Sequence, residues 1–170
     1  MKETTIIITV VGSLLVFFLP LYLNSRKHSR VNKKLKEELL KAGSKENLNL
    51  NKLNVWRSLY GLAMDKDKSI LVYGKSSQEK VNCSIVELEH YKLCKPAKVL
   101  RDVGAGKERH KVVSKINLVL LPMDDKFHPI NFEMFNEDHH SNIIMEWELA
   151  QEWAKEINNH LIRTKEKYVA

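Results

Sequence analysis

Residues 55–74 read VWRSLYGLAMDKDKSILVYG. Apolar and aromatic residues dominate Val55–Met64, and four charged residues, Asp65-Lys66-Asp67-Lys68, follow them. A β-branched run, Ser69–Tyr73, then ends at Gly74. Two apolar runs about a short polar turn predict a β-hairpin. The pattern is unlike the three- and four-residue spacing of an amphipathic helix, so the domain holding it is built on strands.

Downstream the same texture continues. Ile85, Val86, Leu88, Tyr91 and Leu93 predict a further strand, in which Glu87 and Glu89 alternate with apolar neighbours. Residues 102–109, DVGAGKER, read as a loop. Val112–Leu121 is strongly β-like, with Ile116, Leu118 and Leu120 on one face, and Pro122 to Lys126 form the next turn. Ile130, Phe132 and Met134 alternate with Asn131 and Glu133 in a last strand. The period then changes. Ile143, Trp147, Ala150, Ala154, Ile157 and Leu161 recur at helical spacing, with Trp153 beside them and Ser141 or Asn142 as N-cap. About five strands followed by one amphipathic helix predict an α+β domain, an antiparallel sheet or partial barrel closed by the helix.

Upstream lies a different segment. Residues 4–23, TTIIITVVGSLLVFFLPLYL, carry no charge. As a helix this run measures about 30 Å, the thickness of a bilayer's hydrocarbon core, and predicts a transmembrane helix. The rival is a cleaved signal peptide of an exported protein, but the run exceeds the usual h-region and no small-residue cleavage site follows. Arg26, Lys27, Arg30, Lys33, Lys34 and Lys36 come after it. The positive-inside rule makes this cluster the determinant of topology: N-terminus outside, C-terminal domain cytoplasmic, the bilayer itself a partner. The expected organisation is a transmembrane helix (4–23), a basic helical stalk (24–43) adding little to the core, a linker (44–54), the α+β domain (55–163) and a tail (164–170). The location expected from it is the inner or plasma membrane.

The charge balance restricts function. Residues 1–36 hold seven basic side chains against one acidic, and residues 37–170 hold 21 against 20. The net charge of +7 therefore reflects the N-terminal segment, and the nearly neutral domain offers no argument for nucleic-acid binding. Two cysteines, Cys83 and Cys94, exclude a disulfide-dense scaffold.

A strand ending in Gly61-Leu62-Ala63-Met64-Asp65, a short turn, an apolar strand, a strand with alternating acids and a closing Trp-containing helix resemble bacterial pleckstrin-homology-like domains, over roughly residues 55–163. The resemblance implies a bent antiparallel sheet or partial barrel with the C-terminal helix plugging one end, and implies no catalysis. Eukaryotic relatives bind phosphoinositides through a basic first loop; the corresponding loop here, Asp65-Lys66-Asp67-Lys68, departs from that pattern by setting two carboxylates against two ammonium groups.

Candidates for chemistry are sparse. Gly104-Ala105-Gly106-Lys107 lacks the spacing and the Ser or Thr of a phosphate loop. His128, His139 and His140, with Glu137 and Asp138 nearby, are the alternative reading, a metal-dependent enzyme or metal-binding protein, although adjacent histidines point apart. The expectation is a membrane-anchored binding or scaffold domain, with an unidentified protein partner at the membrane surface, no cofactor and no catalytic residues.

Overall fold

Two antiparallel sheets and two helices make up the computed structural model, which describes residues 2–77 and 80–169; the side chains of residues 2–15, 17, 20, 21, 24, 25, 27, 28, 107 and 165–169 lie outside that description. Helix α1 is Lys2–Lys45. Strands β1 (Lys52–Trp56), β2 (Tyr60–Asp65), β3 (Ile70–Ser77) and β4 (Lys80–Glu87) form one sheet in that order. Strands β5 (Tyr91–Val103), β6 (His110–Pro122) and β7 (Ile130–Asn136) form the other. Helix α2 is Glu146–Val169.

Seven strands replace the expected five or so because two expected strands divide. Val55–Met64 is not one strand. Arg57 and Ser58 both adopt positive φ (55° and 53°), Leu59 N–H donates to Trp56 O, and β1 turns back into β2. Two successive left-handed residues make the mirror-image turn that suits a twisted hairpin. Likewise the run from Ile85 to Leu93 is broken by a 3-10 turn, Leu88–His90, between β4 and β5. Asp65–Lys68 therefore belongs to the second hairpin turn, and Arg57-Ser58 to the first.

The core lies between the sheets. Tyr60, Leu62, Met64, Leu71 and Tyr73 face Ile116, Leu118, Leu120, Phe132 and Met134. Helix α2 closes it with Ala150, Trp153, Ala154, Ile157 and Leu161. Trp153 is fully buried and Trp147 only partly, under Lys98 Nζ at 4.0 Å from the ring centre. The helix starts at Glu146, later than Ile143, and leaves Ile143, Ile144 and Met145 exposed. Polar ties join the sheets. Trp56 Nε1 donates to Met134 O at 2.8 Å, and Tyr73 Oη to Glu133 O at 2.9 Å.

The first sheet is covered on its other face as well. Leu35 and Leu39, one helical turn apart on α1, have no exposed surface and sit over Gly61 and Gly74. Leu39 packs with Ala63 and Val72, and Ala42, Leu48, Leu50, Leu53 and Val55 surround them. The stretch expected as a spacer stalk and linker thus contributes a second small core.

The expected transmembrane helix is corrected. Among the described residues no helix is long and apolar enough to cross a membrane. Most of the 4–23 run falls on side chains outside the description. The continuous helix then turns to a charged half that docks on the sheet. The single-pass anchor and the membrane location with an outside N-terminus rested on that span and are corrected with it.

Candidate functional site

The β2–β3 turn is organised by one carboxylate. Asp65 is buried and accepts N–H groups from Asp67, Lys68 and Asn49, at 2.9, 3.0 and 2.6 Å. Burial alone would raise its carboxyl. These backbone donors and the nearby Lys68 ammonium outweigh that and hold it below the usual range. The turn closes with Ser69 at φ 56°, a conformation that L residues other than Asn and Asp seldom adopt. Ser69 O accepts Leu88 N–H at 2.8 Å, which ties the turn to the end of β4.

Held this way, Ser69 Oγ meets the last turns of α2. It lies 2.9 Å from His160 Nε2, and Thr164 Oγ1 lies 3.4 Å from the same nitrogen. A cleft of about 420 Å³ opens here, lined by Lys66, Asp67, Ser69, Glu89, His160, Arg163 and Thr164. Burial, then the Lys66 and Arg163 cations, push the His160 imidazole below its ordinary pKa, so it is neutral at pH 7. Lys66 is held by Glu156, four residues before His160, and that ion pair lowers the Glu156 carboxyl. Two cations, two hydroxyls and an imidazole share the cleft with two carboxylates, so it suits a ligand with both anionic and donor groups.

A second polar cluster bridges the sheets. Glu133 accepts from Lys75 Nζ at 2.6 Å and Tyr60 Oη at 2.7 Å. Burial opposes ionisation there, and these donors overcome it, so the carboxyl stays below its usual range. Burial and the same carboxylate push the Tyr60 and Tyr73 phenols up. This cluster is satisfied internally and reads as a structural clamp.

The residues singled out in the sequence lie elsewhere. Arg26, Arg30, Lys33, Lys34 and Lys36 are exposed on α1, and the Lys27 side chain is outside the description. Arg26 stacks over Tyr22 at 4.6 Å, and Lys33 pairs with Glu37 at 3.8 Å. None lines the cleft. His128 precedes β7, and His139 and His140 follow it. A seven-residue strand separates them by about 20 Å. Among the described residues no group of three or more His, Cys, Asp or Glu could hold a metal ion. Gly104 to Lys107 lies at the tip of the β5–β6 hairpin, not between a strand and a helix. No motif or spacing signals that Ser69 and His160, 91 positions apart, meet in the fold. Compared with known proteins, the chain matches no family model, and no curated protein or solved structure is significantly similar to it.

Proposed function

We propose that the chain is a non-catalytic binding or scaffold module of pleckstrin-homology-like form, whose ligand enters the cleft between the β2–β3 turn and the end of α2. A four-stranded and a three-stranded antiparallel sheet followed by a closing helix support the form. The observation that carries the function is the convergence of Ser69, His160, Arg163 and Thr164 on one open polar cleft. The ligand is compact and polar. Its anionic group faces Arg163 and the hydroxyls, and its donor groups face Asp67 and Glu89. Titration with inorganic phosphate and then with phosphate esters, followed by the NMR shifts of the His160 ring and Thr164, tests this. Saturable shifts that Arg163→Ala weakens at least tenfold are expected. No shift at these residues with any such compound would sink the reading.

The 2.9 Å contact between Ser69 Oγ and His160 Nε2 favours a second reading, a hydrolase with a serine nucleophile. It is weaker because, among the described residues, no carboxylate hydrogen-bonds the other imidazole nitrogen to orient the ring. A fluorophosphonate that labelled Ser69, with loss of labelling in His160→Gln, would replace the binding reading by this one.

A further inference from the structure

Two sheets have four edges, and among the described residues three of them carry ties to another element. Edges β1 and β7 are tied together where Trp56 Nε1 donates to Met134 O, and Lys52 on β1 pairs with Glu152 of α2 at 2.7 Å. Edge β5 carries Pro96, and Asn158 of α2 clamps its backbone, its Oδ1 accepting Cys94 N–H and its Nδ2 donating to Cys94 O, both at 2.8 Å. Among the described residues β4 pairs with β3 alone, in an unbroken register without bulge or proline. An unpaired edge of this length is a template for another strand.

The side chains of β4 say which strand. Val81, Cys83 and Ile85 share the face of Gly74 and Val72, the face on which α1 docks. They border a cavity of about 270 Å³ whose other wall is α1, and Ile85 is 41% exposed. A continued sheet joins like faces, so this row meets an identical row only when paired residues have positions of the same parity. Centring the pairing on Cys83 sets Val81 opposite the partner's Ile85 and Asn82 opposite the partner's Ser84. Centring it on Ser84 would set Val81 opposite the partner's Glu87. The α1 wall carries Glu38 and Glu46 against Lys41 and Lys45, so it is charge-balanced and a second copy meets no net repulsion.

We propose that β4 is a homodimerisation edge: two copies pair antiparallel about a two-fold axis at Cys83 and form one continuous eight-stranded sheet. The strands match because V-N-C-S-I is self-complementary in apolar and polar character when read against itself.

The test uses the full chain. Sedimentation across a hundredfold concentration range should show a monomer of 19.8 kDa passing to twice that mass. Ile85→Lys sets an ammonium on each side of the axis and should weaken dimerisation at least tenfold, with an unchanged circular dichroism spectrum. A short bis-maleimide should link two copies through Cys83, with the product kept in Cys94→Ser and lost in Cys83→Ser. This measurement on otherwise native protein stands even where Ile85→Lys fails to fold. A monomer at every concentration would overturn the proposal. So would a dimer that folded Ile85→Lys leaves intact, or a dimer that Cys83 does not cross-link.

Discussion

At Gly61 the first helix packs directly on the first sheet. A Cβ placed on it would lie 2.5 Å from Leu39 Cδ1, inside any real contact, whereas one on Gly74 would meet Leu39 and Leu35 carbons at 3.0 and 3.3 Å. Gly61→Ala is therefore expected to lower stability by about 1–3 kcal/mol, as overpacking does, and Gly74→Ala by less. Urea midpoints read the difference, and two unchanged midpoints would mean that α1 is not seated on the sheet. His160 makes a pH prediction. Its folded pKa is depressed, by burial first and then by Lys66 and Arg163. The unfolded chain thus takes up this proton first as the pH falls. The stabilisation is complete above about 6.5, the ordinary value for histidine, and is lost as the pH drops through the folded value. His160→Gln should flatten the melting temperature between pH 7.5 and 5. A profile as steep as the wild type's would assign the dependence to other groups.

At the level of elements, α2 closes the core mainly through Trp153. Trp153→Ala should cost about 3–5 kcal/mol, and Trp147→Ala clearly less, because Trp147 is only half-buried beneath Lys98. Equal losses in urea denaturation would contradict the helix's orientation. Helix α1 makes a second prediction. A fragment beginning at Leu48 lacks Leu35, Leu39 and Ala42, uncovers Ala63 and Val72, and should aggregate or melt without cooperativity, while one beginning at Val31 should fold. Light scattering and thermal melts of the two fragments would decide. Strands β6 and β7 were legible because buried apolar residues alternate along them, Ile116, Leu118 and Leu120 in one and Phe132 and Met134 in the other. The β1–β2 turn was not, because left-handed turns are signalled by Asn-Gly or Gly, and here Arg57 and Ser58 adopt that conformation. Arg57 compensates with partners beyond its own hairpin, an ion pair to the Glu146 carboxylate and a hydrogen bond to Asn142 O at 2.7 Å. The docking face of α1 was illegible for another reason. Leu35 and Leu39 make too narrow a stripe to announce burial, and what receives them is the absence of side chains at Gly61 and Gly74. The cleft was hidden because Ser69 and His160 carry no spacing signal and meet only once α2 folds back over the second hairpin turn.

Across the whole molecule the two sheets are treated unequally. Strands β2 and β3 are enclosed from both sides, by the main core and by α1, whereas residues 98–102 at the far end of β5 are exposed and β5–β6 extends into a free hairpin tip. Local opening is easiest where few apolar contacts must be broken. The backbone amides should therefore exchange with deuterium in a graded order, those near Gly104 first and those of Leu62, Ala63, Leu71 and Val72 last. Removing Leu39 by substitution with alanine should bring the β2 and β3 amides forward in time while leaving β6 and β7 nearly unmoved. A uniform acceleration would mean that the molecule opens only as one unit. In the graded case, the pair of glycines beneath α1 acts as a timer: the fit between one helix and two missing side chains decides which half of the protein opens last.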